Sequence, residues 1–446
     1  GEYDRLDTPI LRVETDSRTI HSGSLFIPLV GERFDGHAFL NEALEGGAAG
    51  CFTQRERESY LPGKFYIKVG STQKALRDLA RHYKQKFRIP FVAVTGSVGK
   101  TTAKDMIAAV LSVKYKVLKT EGNFNNNIGL PLTLLRLDRS HQVAVLEMGM
   151  DKPGEIDYLG EIVQPEVGVI TNIGDAHIEK LGSRENIFKA KCELLPHIRK
   201  ENGLLVLNGD DDMLSTLRGN TPVNTVFCGK GEGLDYRAQV TGGDGVSHIH
   251  CRVTTPKMDR ELMIPALGEH MVYPTLIAAA VGEHFGLTPE EIQEGVARFV
   301  PTRMRMNLLQ RAEEITILDD TYNANPQSMR AAISVLADSR CSWRVAVLGD
   351  MFELGPFAPA LHAGVGEYLG KRGIDCLVAV GEMAEHIAKG AREAGVPTVY
   401  YCADKEAARV VLPQVVRPDS TILVKASRGM ALEELTAQLL ELTKER

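Results

Sequence analysis

One stretch of the chain has the residue types and the order that bind the phosphates of a nucleotide. The apolar run from Phe91 to Val94 leads into Thr95-Gly96-Ser97-Val98-Gly99-Lys100-Thr101-Thr102, and a helix-like run from Ala103 to Leu111 follows. Glycines let backbone N–H groups approach phosphate oxygens, and a helix N-terminus adds partial positive charge. In such a P-loop Lys100 reaches the β- and γ-phosphates, and the hydroxyl of Thr101 can ligate Mg²⁺.

One position departs from the general P-loop pattern, which has a glycine five residues before Gly99. That residue is Val94 in this chain. The order of strand, glycine-bounded turn and Gly-Lys-Thr still favours a phosphate site over an ordinary strand-to-helix turn.

An acidic residue follows a second apolar run, Val143 to Leu146, about 50 residues beyond the P-loop. P-loop enzymes place a carboxylate at such a strand end to hold Mg²⁺ or a catalytic water. We therefore predict that Glu147 binds Mg²⁺, the alternative being a solvated acid at the end of a strand.

Other polar segments have no unique chemical interpretation from their residues alone. The Gly122–Gly129 loop has four asparagines within five positions, and the Asp319–Pro326 segment has a similar character. Asparagine is common in turns, so a structural role is a strong alternative. His177 follows a strand end and Lys191 lies on a predicted helix, and a structural histidine and a surface lysine are their default interpretations.

The elements that position these residues fall into three blocks of an α/β protein. Residues 1–88 contain short strands and a helix, which ends before Arg88-Ile89-Pro90 because the residue before proline disfavours a helix. Residues 89–307 alternate apolar strands and helices, which predicts a central P-loop domain with a mostly parallel sheet. A Gly-rich stretch at 229–260 predicts a small accessory antiparallel sheet within it.

Residues 308–446 again alternate strands and helices, which predicts a Rossmann-like C-terminal domain. Three of its predicted strands end in small-residue loops. Ligands of open α/β sheets bind at the carboxyl ends of the strands, so these loops are candidate ligand contacts. The loops are Gly349-Asp350, Gly381-Glu382 and Ala426-Ser427-Arg428-Gly429.

Composition excludes several classes of protein. The 446 residues are 43% hydrophobic and 25% charged, which is typical of a globular protein, and the net charge of −6 argues against a nucleic-acid-binding surface. No apolar run approaches the roughly 20 residues of a membrane-spanning helix. The seven cysteines are scattered, which predicts reduced thiols. No signal-peptide pattern is visible, so we expect a cytoplasmic protein, and a chain that opens on Gly1 is expected to be trimmed or tagged.

The motifs together resemble those of the Mur ligases, the ATP-dependent amide-forming enzymes of peptidoglycan synthesis. The resemblance covers nearly the whole chain. Its segments are Asp16-Ser17-Arg18, Gly31–His37, Thr95–Thr102, Gly122–Pro131, Glu147-Met148-Gly149, the His177 loop, Ala190-Lys191, Asp320–Pro326, Leu348–Met351, Glu353–Gly355 and Lys425–Gly429.

The resemblance implies a monomeric ligase that joins D-alanyl-D-alanine to UDP-N-acetylmuramoyl-tripeptide through an acyl phosphate, with ATP and Mg²⁺ at two sites. It implies catalytic roles for Lys100, Lys191, His177 and Arg305. The implied ATP-binding residues are Gly96, Ser97, Val98, Gly99, Lys100, Thr101, Thr102 and Asn323. The implied metal ligands are Thr101, Glu147, His177 and a carbamylated Lys191, because a carbamate offers the oxygen ligands that Mg²⁺ prefers.

The substrates would be bound by residues of all three blocks. The UDP-sugar peptide would contact Ser17, Arg18, Asp35, Asn123 and Asn126. The implied D-alanyl-D-alanine contacts are Asn325, Lys425, Ser427 and Arg428. Whether the third residue of the tripeptide is meso-diaminopimelate or L-lysine stays open.

Two segments depart from the family pattern. The expected Gly-x-His-Asn-x-x-Asn has Met271 and Pro274 at the two asparagine positions, and the Gly-Arg expected after Pro301 is Met304-Arg305. Three alternatives therefore remain: a related ligase resembling folylpolyglutamate synthase, a P-loop switch or transport ATPase, and an inactive homologue that only binds UDP-peptide. The chain lacks the Asn-Lys-x-Asp and Leu-Ser-Gly-Gly motifs of the switch and transport classes.

Overall fold

The computed structural model describes residues 7–32, 34–56, 59–245, 247–310 and 315–443. Arg33, part of the Gly31–His37 motif, lies outside the described residues. The described residues form three sheets with helices against them, which confirms the predicted α/β class. None of their helices is long and apolar enough to cross a membrane.

The N-terminal region is a parallel four-stranded sheet in the order β1-β2-β3-β4. Its elements are β1 (Arg12–Glu14), β2 (Ser24–Phe26), α1 (Leu40–Glu45), β3 (Gly50–Thr53), β4 (Phe65–Lys68) and α2 (Thr72–Lys84). Helix α2 begins at Ser71, whose hydroxyl caps it by accepting the N–H of Lys74. The helix packs Leu76 into the apolar cluster beneath this sheet.

The central region contains a nine-stranded sheet in the order β13-β12-β11-β10-β9-β8-β5-β7-β6. Its strands are β5 (Phe91–Thr95), β6 (Val117–Lys119), β7 (Val143–Glu147), β8 (Val167–Ile170), β9 (Leu204–Asn208), β10 (Asn224–Gly229), β11 (Tyr236–Gly243), β12 (Ile249–Thr254) and β13 (Asp259–Ile264). The parallel strands β5, β7, β8 and β9 are buried along their whole length, because helices cover both faces of the sheet.

The central helices are α3 (Lys100–Leu111), α4 (Gly129–Leu134), α5 (Glu155–Val163), α6 (Ile178–Leu181), α7 (Arg184–Cys192), α8 (Val272–His284) and α9 (Pro289–Ala297). Strand β5 lies between β7 and β8, and all three run parallel. Their carboxyl ends therefore meet at one edge of the sheet, which brings together the P-loop, Glu147 and the segment that begins at Thr171.

The antiparallel strands predicted for residues 229–260 are present as β11, β12 and β13. They extend the central sheet and do not form a sheet of their own. The reason is a short parallel ladder between β10 and β11, in which Cys228 pairs with Tyr236 and Gly229 pairs with Arg237.

The C-terminal region contains a six-stranded sheet in the order β14-β15-β19-β16-β17-β18, parallel except at β14. Its strands are β14 (Asn307–Gln310), β15 (Thr316–Asp320), β16 (Trp343–Gly349), β17 (Cys376–Val380), β18 (Thr398–Cys402) and β19 (Ser420–Lys425). Its helices are α10 (Pro326–Ala337), α11 (Ala358–Lys371), α12 (Ala384–Glu393), α13 (Lys405–Val415) and α14 (Glu433–Leu442).

One cluster of buried apolar side chains runs from the central sheet into the C-terminal sheet. At the boundary it includes Ile178 and Leu181 of α6 and Met351 and Leu354 beyond β16. The N-terminal sheet has two much smaller clusters. The central and C-terminal regions are therefore packed against each other over an apolar surface, with a cleft beside it.

Candidate active site

Backbone contacts hold the P-loop in shape between β5 and α3. The Oδ1 atom of Asn172 accepts the N–H groups of Ser97 at 3.1 Å and Val98 at 2.8 Å. The hydroxyl of Thr171 donates to the Val98 carbonyl at 2.6 Å. Gly96 has a φ of +144°, and a Cβ there would lie 1.9 Å from Oγ1 of Thr171. Position 96 therefore requires glycine for both its backbone angle and its close neighbour.

The departure from the general P-loop pattern at Val94 has a simple structural reason. Val94 is a buried residue of β5, in register with Glu147 on β7 and Val169 on β8. The strand continues through this position, so no glycine turn is needed until Gly96.

Thr101 and Glu147 meet at the carboxyl edge of the central sheet. Oγ1 of Thr101 donates to Oε2 of Glu147 at 2.8 Å, and Nδ2 of Asn125 donates to Oε1 at 2.9 Å. The Glu147 side chain is buried. Lys100 bends back so that Nζ donates to the Gly96 carbonyl at 2.9 Å. Burial lowers the pKa of Lys100, and the nearby Glu147 carboxylate acts in the opposite direction.

A cavity of about 560 Å³ lies between the central and C-terminal regions. Its volume is in the range of small-molecule and nucleotide sites. Most of the predicted site residues line it. They are Ser97, Val98, Gly99, Lys100, Thr101, Thr102, Asn123, Asn126, Glu147, His177, Arg305, Asn323, Asn325 and Lys425.

His177 lies at one end of the cavity, beside acidic groups from two regions. Its Nδ1 atom is 2.7 Å from Oε2 of Glu353 and 3.4 Å from Oδ1 of Asp151. Burial lowers the pKa of His177, and the carboxylate of Glu353 opposes this effect. The charges of Lys100 and Lys191 also act on the ring, so the structure brings His177 and both lysines into one electrostatic environment.

Lys191 is almost completely buried on α7, where the sequence favoured a surface position. Burial, reinforced by the nearby Lys100, places the pKa of its amine well below the ordinary lysine value. Carbamylation requires a neutral amine, and the burial of this side chain favours that form.

Arg305 projects into the cavity from the segment that joins the two regions. Its guanidinium lies 4.2 Å from the ring centre of Tyr322, and its buried Nε has no hydrogen-bond partner among the described residues. The preceding residue, Met304, has a φ of +62°, a left-handed angle that favours glycine. The backbone therefore keeps the glycine-type conformation although the residue is methionine.

The C-terminal region contributes a second group of polar side chains. Nζ of Lys425 donates to Oδ2 of Asp320 at 2.6 Å and to the Asn323 carbonyl at 2.8 Å. Asn325 lines the cavity and caps α10. Ser427 and Arg428 do not line the cavity. Ser427 is buried and accepts the N–H of Phe352, and Arg428 pairs with Glu433 at 2.7 Å.

The residues predicted for the UDP-sugar lie elsewhere, on the N-terminal sheet. Arg18 makes a two-pronged contact with Asp16, and its guanidinium lowers the pKa of that carboxyl to about 2. Asp35 accepts the backbone N–H of His37 and pairs with the Arg55 guanidinium. None of Ser17, Arg18 and Asp35 lines the cavity.

The two departures from the family pattern take different positions. Met271 lines the cavity and is almost fully buried. Pro274 lies in the first turn of α8, where the backbone N–H that proline lacks has no helical partner in any case. Proline is therefore compatible with the helix, and no amide side chain reaches the cavity from either position.

Several residues that shape the site were not selected from the sequence. Asn125 contacts Glu147, Asn172 braces the P-loop, and Asp320 holds Lys425. Asn125 and Asp320 lie in the polar segments that the sequence had marked. Only the folded chain shows which of these side chains face the cavity. Glu353 gave no signal that separates it from other acids.

Comparisons with known proteins decide the family. Family models match three segments: the Mur ligase family catalytic domain at residues 9–84, the Mur ligase middle domain at 94–282, and the Mur ligase glutamate ligase domain at 304–428. The chain belongs to the Mur ligase family. A relative from Bacillus subtilis, UDP-N-acetylmuramoyl-tripeptide--D-alanyl-D-alanine ligase, is 40% identical over 97% of this chain and 94% of its own length.

Solved structures give the same result for this Mur ligase. A crystal structure of MurF from Acinetobacter baumannii has a TM-score of 0.89 and 34% identity, and covers 97% of this chain and 94% of that one. MurF ligase from Thermotoga maritima in complex with ADP has a TM-score of 0.86 and 29% identity, with 98% and 99% covered. The fold of the whole chain is therefore that of these enzymes.

Proposed function

We propose that this Mur ligase adds D-alanyl-D-alanine to UDP-N-acetylmuramoyl-tripeptide in peptidoglycan precursor synthesis. It is an ATP-dependent amide ligase that forms ADP and phosphate. The observation that carries the proposal is the cavity between two regions, in which a P-loop and its acid face Arg305 and Lys425. The near full-length likeness to the relative from Bacillus subtilis supports the same activity.

We assign the nucleotide to the central part of this cavity. Residues 96–102 would hold the phosphates of ATP, with Lys100 and Arg305 supplying positive charge around the γ-phosphate and Asn323 contacting the nucleotide. Arg305 suits this role because its buried Nε has no hydrogen-bond partner among the described residues. A guanidinium is the side chain that best matches phosphate oxygens.

The donor atoms fit two Mg²⁺ ions. Thr101 and Glu147 offer adjacent hard oxygens for one ion. Glu147, His177 and a carbamylated Lys191 would hold the other, and the low pKa of the buried Lys191 amine favours its reaction with CO₂. When bound, such ions neutralise the charge that develops during phosphoryl transfer.

The reaction activates a carboxylate, which is a poor electrophile. The terminal carboxylate of the tripeptide attacks the γ-phosphorus of ATP, and ADP leaves, so that an acyl phosphate forms. The amine of D-alanyl-D-alanine then attacks the acyl carbon, and the tetrahedral intermediate expels phosphate. The chain positions the reactants, places Lys100 and Arg305 beside the phosphate, and keeps water from the acyl phosphate by packing the two regions together.

The two remaining substrates are assigned to opposite ends of the molecule. Residues 1–88 form a domain for the UDP-sugar, in which Ser17, Arg18 and Asp35 are the contacts, and Asn123 and Asn126 continue the path into the cavity. Residues 89–307 form the ATP domain. Residues 308–446 form the domain for D-alanyl-D-alanine, with Asn325, Lys425, Ser427 and Arg428 as its contacts. We take the enzyme to act as a cytoplasmic monomer, since one chain supplies every assigned group.

Phosphate release from ATP tests the proposed function. The assay uses UDP-N-acetylmuramoyl-tripeptide containing meso-diaminopimelate or L-lysine, each with and without D-alanyl-D-alanine. We expect release that depends on both substrates, and the preferred tripeptide identifies the diamino acid. Binding of UDP-peptide without turnover would support an inactive homologue, and turnover with a folate substrate would support the folylpolyglutamate-synthase alternative.

A further inference from the structure

Four charged side chains form a cluster where the central and C-terminal regions touch, which we call the boundary cluster: Asp151, His177, Lys180 and Glu353. Nζ of Lys180 lies 2.9 Å from Oδ2 of Asp151 and 3.2 Å from Oε1 of Glu353. The other oxygen of each acid faces Nδ1 of His177, at 3.4 Å for Asp151 and 2.7 Å for Glu353. Glu353 is the member that comes from the C-terminal region.

The backbone holds Glu353 firmly against the central region. The N–H of Glu179 donates to the carbonyl of Glu353 at 3.2 Å, and Gly355 packs on the Glu179 side chain. His177 and Glu353 both have left-handed backbone angles, with φ of +65° and +61°. Such conformations are unfavourable for residues other than glycine, and they cluster at functional sites where the surroundings enforce them.

The Nδ1 atom of His177 is the point of interest within the boundary cluster. It is buried and makes no well-aligned hydrogen bond to any described residue, although Glu353 lies within contact distance. A buried ring nitrogen needs a partner, and the nearest candidate is a carboxylate. A small side-chain rotation is sufficient to align the two groups.

The geometry of the boundary cluster also resembles a cation site, since Asp151, His177 and Glu353 bring ligand atoms within 4.8 Å of one another. The ammonium of Lys180 already neutralises both carboxylates there. A further cation would be placed next to that positive charge. The cluster is therefore better suited to orienting His177 than to binding a metal of its own.

We propose that Glu353 is a positioning residue: it accepts the Nδ1 proton of His177 and so directs the Nε2 lone pair of that ring to the metal. This inference rests on the proposed function, in which His177 is a metal ligand. A carboxylate on the far nitrogen of a ligating histidine fixes the tautomer and the ring orientation and increases the basicity of the ligand.

The proposal links the metal site to the position of the C-terminal region. Glu353 reaches His177 only while that region is docked against α6. The metal ligand is therefore oriented in the same arrangement that surrounds the cavity and excludes water. Acyl phosphate then forms only when the region that supplies Lys425 is in place to protect it.

Metal binding without turnover provides the test. Mn²⁺ replaces Mg²⁺ as the probe, and its binding is followed by electron paramagnetic resonance in the presence of a non-hydrolysable ATP analogue and UDP-N-acetylmuramoyl-tripeptide. We expect two Mn²⁺ sites in the unmodified chain. Glu353→Ala is expected to weaken one of them about tenfold, which is the usual effect of losing such a partner. Glu353→Gln keeps an acceptor oxygen without the charge and is expected to fall between the two.

Kinetics and a control variant complete the experiment. Glu353→Ala is expected to raise the Mg²⁺ concentration for half-maximal rate about tenfold while the KM for UDP-tripeptide stays unchanged. Glu179→Gln removes an exposed acid from the same boundary and is expected to match the unmodified chain in both measurements. Thermal unfolding of each variant reports whether it is folded, and the isosteric Glu353→Gln serves if the alanine variant is not.

The outcomes separate the two proposals. Unchanged Mn²⁺ affinities in Glu353→Ala, or a single Mn²⁺ site in the unmodified chain, overturn the positioning role while ligation by the unmodified chain upholds the proposed function. Absence of substrate-dependent phosphate release from the unmodified chain overturns the proposed function itself. An equal loss of Mn²⁺ affinity in Glu179→Gln and Glu353→Gln also overturns the positioning role, since it assigns the effect to the boundary as a whole.

Discussion

Lys191 illustrates how burial changes the chemistry of a single residue. A protonated lysine is rarely buried without a paired acid, because removing its charge from water is unfavourable. The fold nevertheless leaves this side chain about 1% exposed and near the positive charge of Lys100. Both effects favour the neutral amine, and conversion of that amine to a carbamate changes a repelled cation into an oxygen donor.

Replacement of this side chain tests its proposed role. We expect Lys191→Ala to abolish ligation and short-chain carboxylic acids to restore part of it, because a small carboxylate can occupy the space of the missing carbamate. Phosphate release at low and high bicarbonate measures both effects. Lys189→Ala, an exposed lysine two residues earlier on α7, is the matched control and is expected to keep full activity. Normal activity in Lys191→Ala would refute the carbamate.

Lys84 provides a test of pH dependence away from the cavity. Burial lowers the pKa of this lysine to about 8, although Nζ donates to the Val163 carbonyl. The folded state thus disfavours the protonated form, and this penalty is complete below pH 8. It disappears as the pH rises from 8 towards the ordinary lysine value of 10.5.

The stability difference between the unmodified chain and Lys84→Met is therefore expected to change with pH. Over the interval from pH 8 to 10.5 the unmodified chain should gain about 3 kcal/mol relative to the methionine variant, which does not titrate. Urea unfolding at pH 7.5, 9 and 10 measures this difference. A difference that does not depend on pH would contradict the lowered pKa of Lys84.

Sequence predicts individual residues well where one chemical role dominates. Lys100, Thr101 and Glu147 were predicted from spacing alone, because a strand end and a helix start fix where such side chains lie. Lys191 was predicted to be exposed, since a helix with lysines on several faces carries no sign of which face is covered. Glu353 could not be selected, because its significance depends on a contact between two regions of the fold.

At the scale of elements, the pair α11 and α12 depends on two close approaches. A Cβ on Gly366 of α11 would lie 2.1 Å from the Ile387 carbonyl oxygen, and one on Gly390 of α12 would lie 2.3 Å from that of Ala363. The atoms in the way belong to the backbone, which cannot rotate aside. The helices can therefore pack at this distance only with glycine at both positions.

Two glycines of the same helix allow a matched comparison. We expect Gly366→Ala to destabilise the C-terminal region by about 1–3 kcal/mol, because the helices must separate. Gly364→Ala meets nothing closer than 3.6 Å and is expected to stabilise by up to about 1 kcal/mol through helix propensity. Urea unfolding followed by circular dichroism measures both variants, and similar effects would contradict the proposed packing constraint.

The elements themselves were largely predictable, and their pairing was not. The buried strands β5, β7, β8 and β9 were predicted to within about two residues, because fully apolar runs between helices indicate a covered parallel sheet. The attachment of β11 to β10 depends on only two ladder pairs. Hydrophobic periodicity carries no information on which strands lie side by side.

On the scale of the whole molecule, apolar contact is distributed unevenly. The largest buried cluster includes residues of both the central and the C-terminal regions, whereas the two clusters of the N-terminal sheet are small. Hydrophobic burial is the main favourable contribution to folding. The N-terminal region should therefore be the least stable part of the chain, and its substrate contacts should depend most on ligand binding.

This difference leads to a prediction for thermal unfolding. We expect calorimetry to show a first transition from the N-terminal region, below that of the two regions that share a core. Because a ligand stabilises only the folded state that binds it, a UDP-N-acetylmuramoyl peptide at 100 times its Kd should stabilise that region by about 2.7 kcal/mol. Arg18→Ala should reduce the shift, and ATP should mainly raise the later transition. A peptide effect confined to the later transition would place the UDP-sugar outside the N-terminal sheet.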